Sequence, residues 1–538
     1  MTRCEVLIIG AGPTGLVLAL WLTRQGVKVR IVDKTREPGT TSRALAVQAR
    51  TLELYGQLDL AEEVVRRGHE TPGVNLWVGG RRAARVSLRG AGLGVTPFPF
   101  LFIFPQDEHE ALLIARLGVL GVAVERETTL IGFENGPTDV SARLRGPDGG
   151  ETVCQAAWLA GCDGAGSTVR ETLGVDYPGG TYRQLFYVAD VEADGPVVNG
   201  DLHIALDDSD FLGVFPLAGE GRARLIGTVR GDRADGTLKF EDVGDRALNQ
   251  LRLKIRRVNW FSTYHVHHRV AARFRQGRAF LLGDAAHIHS PAGAQGMNTG
   301  IGDAINLAWK LAAVLGKRAP DTLLDTYQAE RIGFARRLVA TTDRGFSFAT
   351  APGALARLVR TRLAPLLIPA ATRVPAVRGF LFRTVSQLNL NYRGGPLSQG
   401  RAGRVRGGDR LPWVCTPDGD NLTPAMVWQA HVYGVAGDAL TAWLHSNGLP
   451  LRVFRWRPEH GKAGLAQNAL YLLRPDSYVA LADPAASPTV LARYCTARGI
   501  DFTPPTALPP QFGEGRDEVR GGALKDASPW PRPVTRSG

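Results

Sequence analysis

Apolar and polar positions near the start of the chain fall into blocks whose lengths predict a strand, a helix and a second strand. Residues 5–9 form a short apolar run of strand length, and residues 16–24 repeat apolar positions with helical spacing. Residues 27–32 form a second apolar run, which ends at Asp33. Because a helical segment connects the two runs, we expect two parallel strands, the unit from which doubly wound α/β sheets are built.

Three glycines occupy the junction between the first strand and the helix, with the spacing G-x-G-x-x-G. In this context the first glycine makes the turn, the second lets a pyrophosphate approach the backbone, and the third lets helix and strand pack closely. Asp33 follows about twenty residues later, where an acidic side chain binds a ribose hydroxyl. The segment therefore predicts a dinucleotide site. Its expected members are Gly10, Gly12, Pro13, Thr14, Gly15, Asp33 and Lys34.

A second Gly-rich junction lies between residues 279 and 311. The apolar run 279–282 predicts a strand that ends at Gly283, so Asp284 would lie at a carboxyl strand end, where open α/β sheets bind ligands. A helical pattern begins at about Asn298, and its positive N-terminus would face an electron-rich group. A carboxylate for ribityl hydroxyls and a helix N-terminus for a reduced flavin would account for the whole stretch. The alternative is a strand, a loop and a helix that bind nothing.

The remaining patterns predict a further junction, a second sheet, a helical region and a third unit. The segment WLAGCDGAGSTVR at 158–170 again places an aspartate, Asp163, after a strand-like run. Stretches within 186–264 alternate or run apolar between turn residues, which predicts an antiparallel sheet. A helical pattern follows at about 346–395, and strands resume after residue 400. Residues from about 503 onward are rich in Pro, Gly and charge, which predicts disorder.

Composition indicates a large protein that works on anionic small molecules. A chain of 538 residues exceeds the size at which single cores stop growing. Its five cysteines include no C-x-x-C pair, so neither a disulfide nor a zinc framework is expected, and a cytoplasmic location fits. The net charge of +13 comes mainly from dispersed arginines, which argues against nucleic acid and favours NAD(P)H and acidic or phenolate substrates. The apolar stretch 6–22 contains the glycine motif and no other stretch is long enough to span a bilayer, so no membrane partner is expected.

The segments GAGPTG, GCDGAGSTVR and GDAAHIHSPAGAQGMNTGIGDAINLAWKL resemble, in this order and spacing, the FAD-dependent aromatic hydroxylases. These are single-component flavin monooxygenases of the para-hydroxybenzoate hydroxylase and phenol hydroxylase type. The resemblance is strongest to the bacterial branch that acts on phenols, aryl acids and polyketides. It implies an α/β fold with a Rossmann-like FAD-binding domain, an inserted antiparallel β-sheet for the substrate and a C-terminal thioredoxin-like domain.

The resemblance also implies where these domains lie along the chain. The FAD-binding domain would be interrupted twice by the substrate sheet, and the thioredoxin-like domain would lack C-x-x-C and hence thiol redox chemistry. The implied divisions are 1–75, 105–185 and 265–345 for the FAD-binding domain, 76–104 and 186–264 for the substrate sheet, 346–399 for a helical linker, 400–503 for the thioredoxin-like domain and 504–538 for a disordered tail.

Residues that match the family's pattern are expected to bind FAD. By this resemblance Arg43 would contact the diphosphate, Gln106 would lie near the flavin, and Leu130 would contact the adenine through its backbone. Pro291 and residues 296–298 would line the isoalloxazine ring. The expected cofactor residues outside the first glycine motif are Arg43, Gln106, Leu130, Asp163, Asp284, Pro291, Gly296, Met297 and Asn298.

The resemblance implies a monooxygenase with non-covalent FAD and with NADPH or NADH as a transient reductant. A flavin C4a-hydroperoxide would hydroxylate an aromatic ring, best as its phenolate, so the protein must polarise the phenol, exclude water and position the ring. Neither a metal ion nor a protein nucleophile is needed. The expected partners are an aromatic small molecule and molecular oxygen, and a homodimer is compatible with the sequence.

No motif identifies the general base of this reaction. Tyr187 and His203 lie on predicted strands of the substrate sheet and are candidates, although each is alternatively a packing or surface residue. His287 and His289 lie beside the flavin loop, and we expect them to brace that loop through hydrogen bonds.

The substrate and the outcome of the reaction stay open at this point. Phe211, Gly213 and Phe215 share one strand face, on which an aromatic substrate could stack, and an ordinary core is the alternative. A Baeyer–Villiger or epoxidising oxygenase, an FAD oxidase and a non-catalytic FAD-binding or ligand-binding homologue would all use the same fold.

Overall fold

Three main sheets organise the described part of the chain, and each packs around its own hydrophobic core. Arg43, Pro291 and the predicted tail 504–538 lie outside the described residues. The computed structural model describes residues 2–39, 44–87, 90–206, 211–229, 238–243, 246–290, 295–350 and 353–502.

A mostly parallel sheet forms the first layer. Its central strand Thr2–Ile9 is parallel to Val29–Val32 on one side and to Glu151–Gly161 on the other. The next strand outward, Ala279–Leu281, is also parallel, so the three predicted junctions all leave the same edge of the sheet. The strands of the first layer are Thr2–Ile9, Val29–Val32, Val124–Glu125, Thr129–Asn135, Val140–Arg145, Glu151–Gly161, Arg275–Gln276 and Ala279–Leu281.

Two helices cover this sheet and carry the glycine motifs. Pro13–Arg24 packs against Gly296–Leu315, and its residues 16–22 are fully buried. A helix that is apolar on all sides is stable only inside a protein, so this pair forms the centre of the layer. The helices of the first layer are Pro13–Arg24, Ala49–Tyr55, Ala61–Arg67, Gln106–Val119, Thr168–Thr172, Gly296–Leu315 and Asp325–Thr350.

A second, largely antiparallel sheet, named the roof sheet here, lies over the carboxyl edge of the first layer. Its long strands Gly179–Asp194 and Lys254–Val270 pair along most of their length. The expected divisions at 185/186 and 264/265 fall inside these two strands, since neither carries a turn residue there. In spatial order the strands of the roof sheet are His287–Ile288, Lys254–Val270, Gly179–Asp194, Arg222–Val229, Phe211–Pro216, Leu202–Leu206, Val74–Val78 and Arg81–Val86.

Helices and then a third sheet complete the described chain. The helical region comprises Ala354–Leu358, the π-helical turn Val359–Leu363, Ala364–Arg373 and Pro375–Val385. No helix within the described residues combines the length and the apolar content needed to cross a membrane. The third sheet contains Gln399–Ala402, Val405–Arg406, Gln429–Tyr433, Leu451–Phe454, Leu470–Leu473 and Val479–Asp483, with helices Asp438–Ser446, Pro458–Ala463 and Pro488–Thr496.

Buried ion pairs join this third unit to the first layer. The guanidinium of Arg410 donates to both carboxylate oxygens of Glu53, which lies in helix Ala49–Tyr55. Arg474 donates to Glu330 over 2.6 Å, and both side chains are almost fully buried. The third unit is therefore fixed against the helices that surround the first sheet.

Candidate active site

One cavity lies between the first layer and the roof sheet. Its volume is about 510 Å³, within the range of small-molecule sites. Four segments singled out in the sequence meet there: the turn after Thr2–Ile9, the loop after Glu151–Gly161, the turn after Ala279–Leu281 and the start of helix Gly296–Leu315. On this side the lining includes Gly12, Pro13, Thr14, Gln106, Gly164, Ala165, Asp284, Gly296 and Met297.

The three glycines of the first turn have different surroundings. Gly10 has a φ of 99°, in the left-handed region, and a Cβ there would lie 2.3 Å from the carbonyl oxygen of Cys162. A Cβ on Gly15 would lie 2.0 Å from the carbonyl oxygen of Gly10. At Gly12, by contrast, a Cβ would meet no heavy atom within 4 Å, and this residue lines the cavity. Gly10 and Gly15 are therefore needed for the turn itself, whereas Gly12 leaves room for a ligand.

Asp33 closes the first βαβ unit through backbone contacts. Its Oδ2 accepts a hydrogen bond from the backbone nitrogen of Ala11 over 2.7 Å, and its Oδ1 accepts one from that of Thr35 over 2.8 Å. Lys34 beside it is exposed, and neither residue is among the described residues that line the cavity. Binding of a ribose by Asp33 stays a prediction, which agrees with its position at the end of strand Val29–Val32.

Asp163 stabilises its own loop. Its Oδ1 accepts a hydrogen bond from the hydroxyl of Ser167 over 2.6 Å, and its Oδ2 accepts one from the backbone nitrogen of Val169 over 3.1 Å. Burial raises the pKa of this carboxyl, and the hydrogen bonds oppose that rise. The adjacent backbone at Gly164 and Ala165 lines the cavity, so Asp163 positions the wall of the site.

Two carboxylates near the second Gly-rich junction have opposite environments. Asp284 is exposed and lines the cavity at the carboxyl end of strand Ala279–Leu281, as expected from the sequence. Asp303 is fully buried, and it accepts hydrogen bonds from the backbone nitrogen of Gly283 over 3.1 Å and from His287 Nε2 over 2.6 Å. Burial alone would raise the pKa of Asp303, but the charges of Arg331 and His287 lower it. Asp303 thus holds the turn that presents Asp284.

The first turn of helix Gly296–Leu315 reaches the cavity through Gly296 and Met297. Asn298 instead ties the helix to the segment before helix Ala49–Tyr55. Its Oδ1 accepts from the Gln48 backbone nitrogen over 2.9 Å, and its Nδ2 donates to the Ala46 carbonyl oxygen over 2.8 Å. Of the three residues 296–298, two therefore line the cavity and the third joins the helix to a neighbouring segment of the chain.

Gln106 and Leu130 differ in their relation to the cavity. Gln106 begins helix Gln106–Val119 and lines the cavity, and its Nε2 donates to Glu110 Oε1 over 2.7 Å. Leu130 is buried in the core of the first layer and is not among the described residues lining the cavity. The adenine contact expected for Leu130 stays a prediction.

Aromatic side chains of the roof sheet face the cavity from above. Phe215 lies in the lining, and Gly213 on the same strand face accommodates its ring, because a Cβ there would lie 2.8 Å from Phe215 Cε2. Phe211 packs beside them in a small apolar cluster. Strand Lys254–Val270 supplies the opposite part of this wall, and its contribution was not predicted from the sequence. Its lining residues are Trp260, Ser262, Tyr264, His265, Val266 and His267.

Tyr187 and His203, the candidates for the general base, are packing residues, which was the alternative left open by the sequence. Successive residues of a strand point to opposite faces, and these two point into the core on the far side of the roof sheet. The ring of Tyr187 packs 6.1 Å from that of Phe261, centroid to centroid. His203 Nδ1 accepts a hydrogen bond from Trp77 Nε1 over 2.9 Å. Neither side chain is placed to move a proton in the cavity.

The two histidines after Asp284 have different roles. His287 braces the loop through Asp303, as expected. His289 Nδ1 donates to the Ser290 carbonyl oxygen over 2.7 Å, which leaves Nε2 as the unprotonated nitrogen. That Nε2 is buried, has no hydrogen-bond partner among the described residues, and belongs to a residue that lines the cavity. Burial lowers the pKa of His289 to about 4, so the ring is neutral near pH 7.

Comparison with known proteins fits this geometry. A family model described as an FAD binding domain matches residues 3–342. The 6-methylpretetramide 4-monooxygenase of Streptomyces rimosus is 39% identical over 407 residues, which cover 74% of this chain and 71% of that protein. The chain belongs to the family of FAD-dependent aromatic monooxygenases.

Other members of this monooxygenase family match over similar lengths. Pentachlorophenol 4-monooxygenase of Sphingobium chlorophenolicum is 30% identical over 417 residues, 76% of this chain and 75% of its own. The solved structure of the anhydrotetracycline hydroxylase of Streptomyces rimosus superposes with a TM-score of 0.72 at 29% identity. The superposition covers 94% of this chain and 100% of that one. The resemblance inferred from the three motifs is confirmed, and with it the mixed α/β fold, the enzyme class and FAD as the cofactor.

The residues present fit FAD. Open space in front of Gly12 offers a pyrophosphate the close backbone approach that a Cβ would block. The exposed carboxylate of Asp284 can accept hydrogen bonds from ribityl hydroxyls, and Gly296 at the first turn of its helix can approach the flavin ring. These residues would hold the cofactor of this monooxygenase on the floor of the cavity, below the aromatic wall of the roof sheet.

Proposed function

We propose that the protein is an NAD(P)H-consuming monooxygenase that hydroxylates an aromatic ring, with phenolic polyketides as its substrate class. The observation that carries this proposal is a cavity that has the glycine turn on its floor and aromatic side chains on its roof. FAD, reduced by NAD(P)H, supplies the activated oxygen. The relatives named for 6-methylpretetramide and anhydrotetracycline support a fused-ring substrate.

The roof sheet supplies the contacts for such a substrate. Phe215, Trp260 and Tyr264 present ring surfaces to the cavity, and Ile226 adds an aliphatic one. Aromatic pairs stack or meet edge to face, and each pair adds about 0.5–1.5 kcal/mol beyond the area that it buries. Several such side chains select a flat, extended ring system and exclude water from the reacting carbon.

His289 is the proton acceptor that we propose for the substrate hydroxyl. A buried polar atom without a hydrogen-bond partner is unfavourable, and the hydroxyl of a phenol bound in the cavity can donate a hydrogen bond to Nε2. Because Nδ1–H is fixed on the Ser290 carbonyl, only Nε2 can accept. Its neutral state above a pKa of about 4 keeps this acceptor available across the physiological range, and the same low pKa means that Nε2 polarises the phenol through a hydrogen bond instead of taking up its proton completely. Withdrawal of the phenolic proton toward Nε2 raises the electron density of the ring, which favours attack on an electrophilic oxygen.

The reaction is tested by NAD(P)H oxidation with a panel of phenols, aryl acids and polyketide quinols. We expect oxidation that depends on one of the fused-ring phenols, with a product that is heavier by one oxygen. Nuclear magnetic resonance then locates that oxygen on the ring rather than in an ester. Failure of every aromatic compound to stimulate oxidation by FAD-loaded protein would refute the proposal.

The role of His289 is tested with His289→Gln and with the surface control His445→Gln. Glutamine keeps an acceptor, but its amide oxygen is a weaker base than the imidazole and polarises the phenol less, so we expect normal FAD content and a fall of about 10²-fold in kcat. The loss should shrink with substrates whose phenol is already ionised at the assay pH. Equal losses for neutral and ionised substrates would assign His289 a purely structural role. His445 is exposed on helix Asp438–Ser446, and its variant should behave as wild type.

We also propose the domain division implied by the resemblance. Strands of the roof sheet come from 74–86, 179–270 and 287–288, which supports two insertions near the expected 76–104 and 186–264, with strand ends that lie outside those bounds. In the third unit, strand, helix, strand, helix, two antiparallel strands and a final helix follow each other from 429 to 496. This order supports a thioredoxin-like domain for residues 400–503.

A further inference from the structure

The helices between the first layer and the third unit present large apolar side chains to solvent. In helix Ala364–Arg373 the residues turned inward are small or polar, since Ala364 and Thr372 are buried. Leu366 and Leu367 on the outside are 71% and 63% exposed. An ordinary amphipathic helix buries its large apolar residues, so the polarity of this helix is inverted.

The flanking helices also expose large apolar side chains, although Phe382 of helix Pro375–Val385 is fully buried. Leu355 in helix Ala354–Leu358 is 75% exposed, and Phe380 in helix Pro375–Val385 is 57% exposed, whereas Gly379 beside it is buried. Proteins that act alone in water rarely expose many large apolar side chains in one region. We name these side chains the apolar helical face: Leu355, Leu358, Leu363, Leu366, Leu367, Ile368, Val374, Val377, Phe380 and Leu381.

The charge of the same segment is entirely positive. Residues 353–385 contain six arginines and no aspartate, glutamate or lysine. Helix Ala364–Arg373 also contacts the edge strand Arg81–Val86, where Arg81 and Arg82 are exposed. Exposed leucines and a phenylalanine are therefore interspersed with arginines along this segment, and no acidic residue lies among them.

We propose that the apolar helical face binds the surface of an anionic lipid bilayer. Leucine and phenylalanine side chains would enter the interface between headgroups and acyl chains, and the arginines would pair with lipid phosphates. A second copy of the chain fits less well, because a two-fold contact through this face would place the same acid-free set of arginines against itself. The sequence-based expectation of no membrane partner rested on spanning length, which interfacial binding does not require.

The test uses the full-length, FAD-loaded protein and phosphatidylcholine vesicles with and without phosphatidylglycerol. We expect co-sedimentation with the anionic vesicles only, weakened by high salt. Leu366→Glu should lower the bound fraction at least about tenfold, because it places a charge where an apolar side chain enters the interface. The matched control is Val435→Glu, because Val435 is also 71% exposed but lies beyond the helical region, after strand Gln429–Tyr433.

Three outcomes decide the proposal. Loss of vesicle binding in Leu366→Glu alone, with unchanged FAD content and unfolding midpoint, would support it. No binding of the wild-type protein to anionic vesicles, or equal binding of both variants, would overturn it. A wild-type dimer in sedimentation velocity that Leu366→Glu dissociates would also overturn it, because the face would then join two copies of the chain.

Discussion

Gly12 offers the sharpest separation of cofactor binding from folding in this protein. It caps the N-terminus of helix Pro13–Arg24 with φ −75° and ψ −179°, an extended conformation that any residue adopts. A Cβ there meets nothing within 4 Å. A serine side chain at this position can also accept a hydrogen bond from a backbone N–H of the first helical turn, whereas glycine has no side chain to do so. We therefore expect Gly12→Ser to fold normally and to bind FAD poorly.

The substitution Gly12→Ser should change the free energy of unfolding in opposite directions without and with bound FAD. Without FAD, Gly12→Ser should be as stable as wild type or more stable by up to about 1 kcal/mol, from the cap and from reduced freedom of the unfolded chain. With FAD, the new side chain occupies the space of the pyrophosphate. A tenfold higher Kd corresponds to about 1.4 kcal/mol, and the free energy of unfolding at saturating FAD falls by the same amount.

The assay compares urea unfolding of the apoprotein and the FAD-loaded protein with FAD affinity from quenching of flavin fluorescence. The control variant is Gly15→Ser, whose Cβ would lie 2.0 Å from the Gly10 carbonyl oxygen. That overlap should destabilise the apoprotein itself by about 1–3 kcal/mol or more. Unchanged FAD affinity in Gly12→Ser, or an apoprotein as unstable as that of Gly15→Ser, would refute the assignment of Gly12 to the cofactor.

Two further predictions concern carboxylates and acid. Asp284→Ala should lose bound FAD on gel filtration while the apoprotein stays folded, and normal flavin content in this variant would contradict the role of Asp284. Asp303→Asn should lower the free energy of unfolding by about 3–5 kcal/mol, because it leaves the buried Arg331 without its charged partner. Burial lowers the pKa of His109 to about 3, below the ordinary value of 6.5, so the unfolded chain binds this proton first and stability falls as the pH drops from 6.5 toward 3. His109→Leu should have a lower free energy of unfolding than wild type at neutral pH, since Tyr55 loses a hydrogen bond. On acidification, the free energy of unfolding of this variant should fall by up to about 5 kcal/mol less than that of wild type, as urea unfolding at several pH values would measure.

The floor of the site could be predicted because glycine and aspartate punctuate short apolar runs there. Each run ends where a backbone must turn sharply, so the position of Gly10 or Asp284 in the sequence determines its position at the sheet edge. The burial of the helix between the first two strands follows from its unbroken apolar composition. The pattern could not show what each polar side chain binds. Asp163 and Asn298 both resemble ligand residues, but Asp163 accepts hydrogen bonds within its own loop and Asn298 bonds to the segment before helix Ala49–Tyr55.

The roof could be predicted only in part. Strand Lys254–Val270 mixes polar and aromatic residues on both faces, so it lacks the alternation that identifies a strand, and Trp260 and Tyr264 were missed. The face to which Tyr187 points could not be decided from the sequence for a related reason. Alternation with period two identifies two faces of a strand but not which one meets the cavity, and the neighbouring Val188 belongs to the cavity-side cluster.

The buried charges show that the third unit belongs to the folding unit of the FAD-binding layer. Glu330 on helix Asp325–Thr350 accepts hydrogen bonds from Arg474 over 2.6 Å and from Lys310 over 2.9 Å, and Glu53 is neutralised by Arg410 from the same unit. Removal of one partner of a buried pair costs about 3–5 kcal/mol, because the remaining charge is left in a medium that solvates it poorly. Without the third unit each glutamate would lose one of its buried cations, and Arg50 and Lys310 would remain as their partners. The cavity floor therefore depends on residues that contact neither cofactor nor substrate.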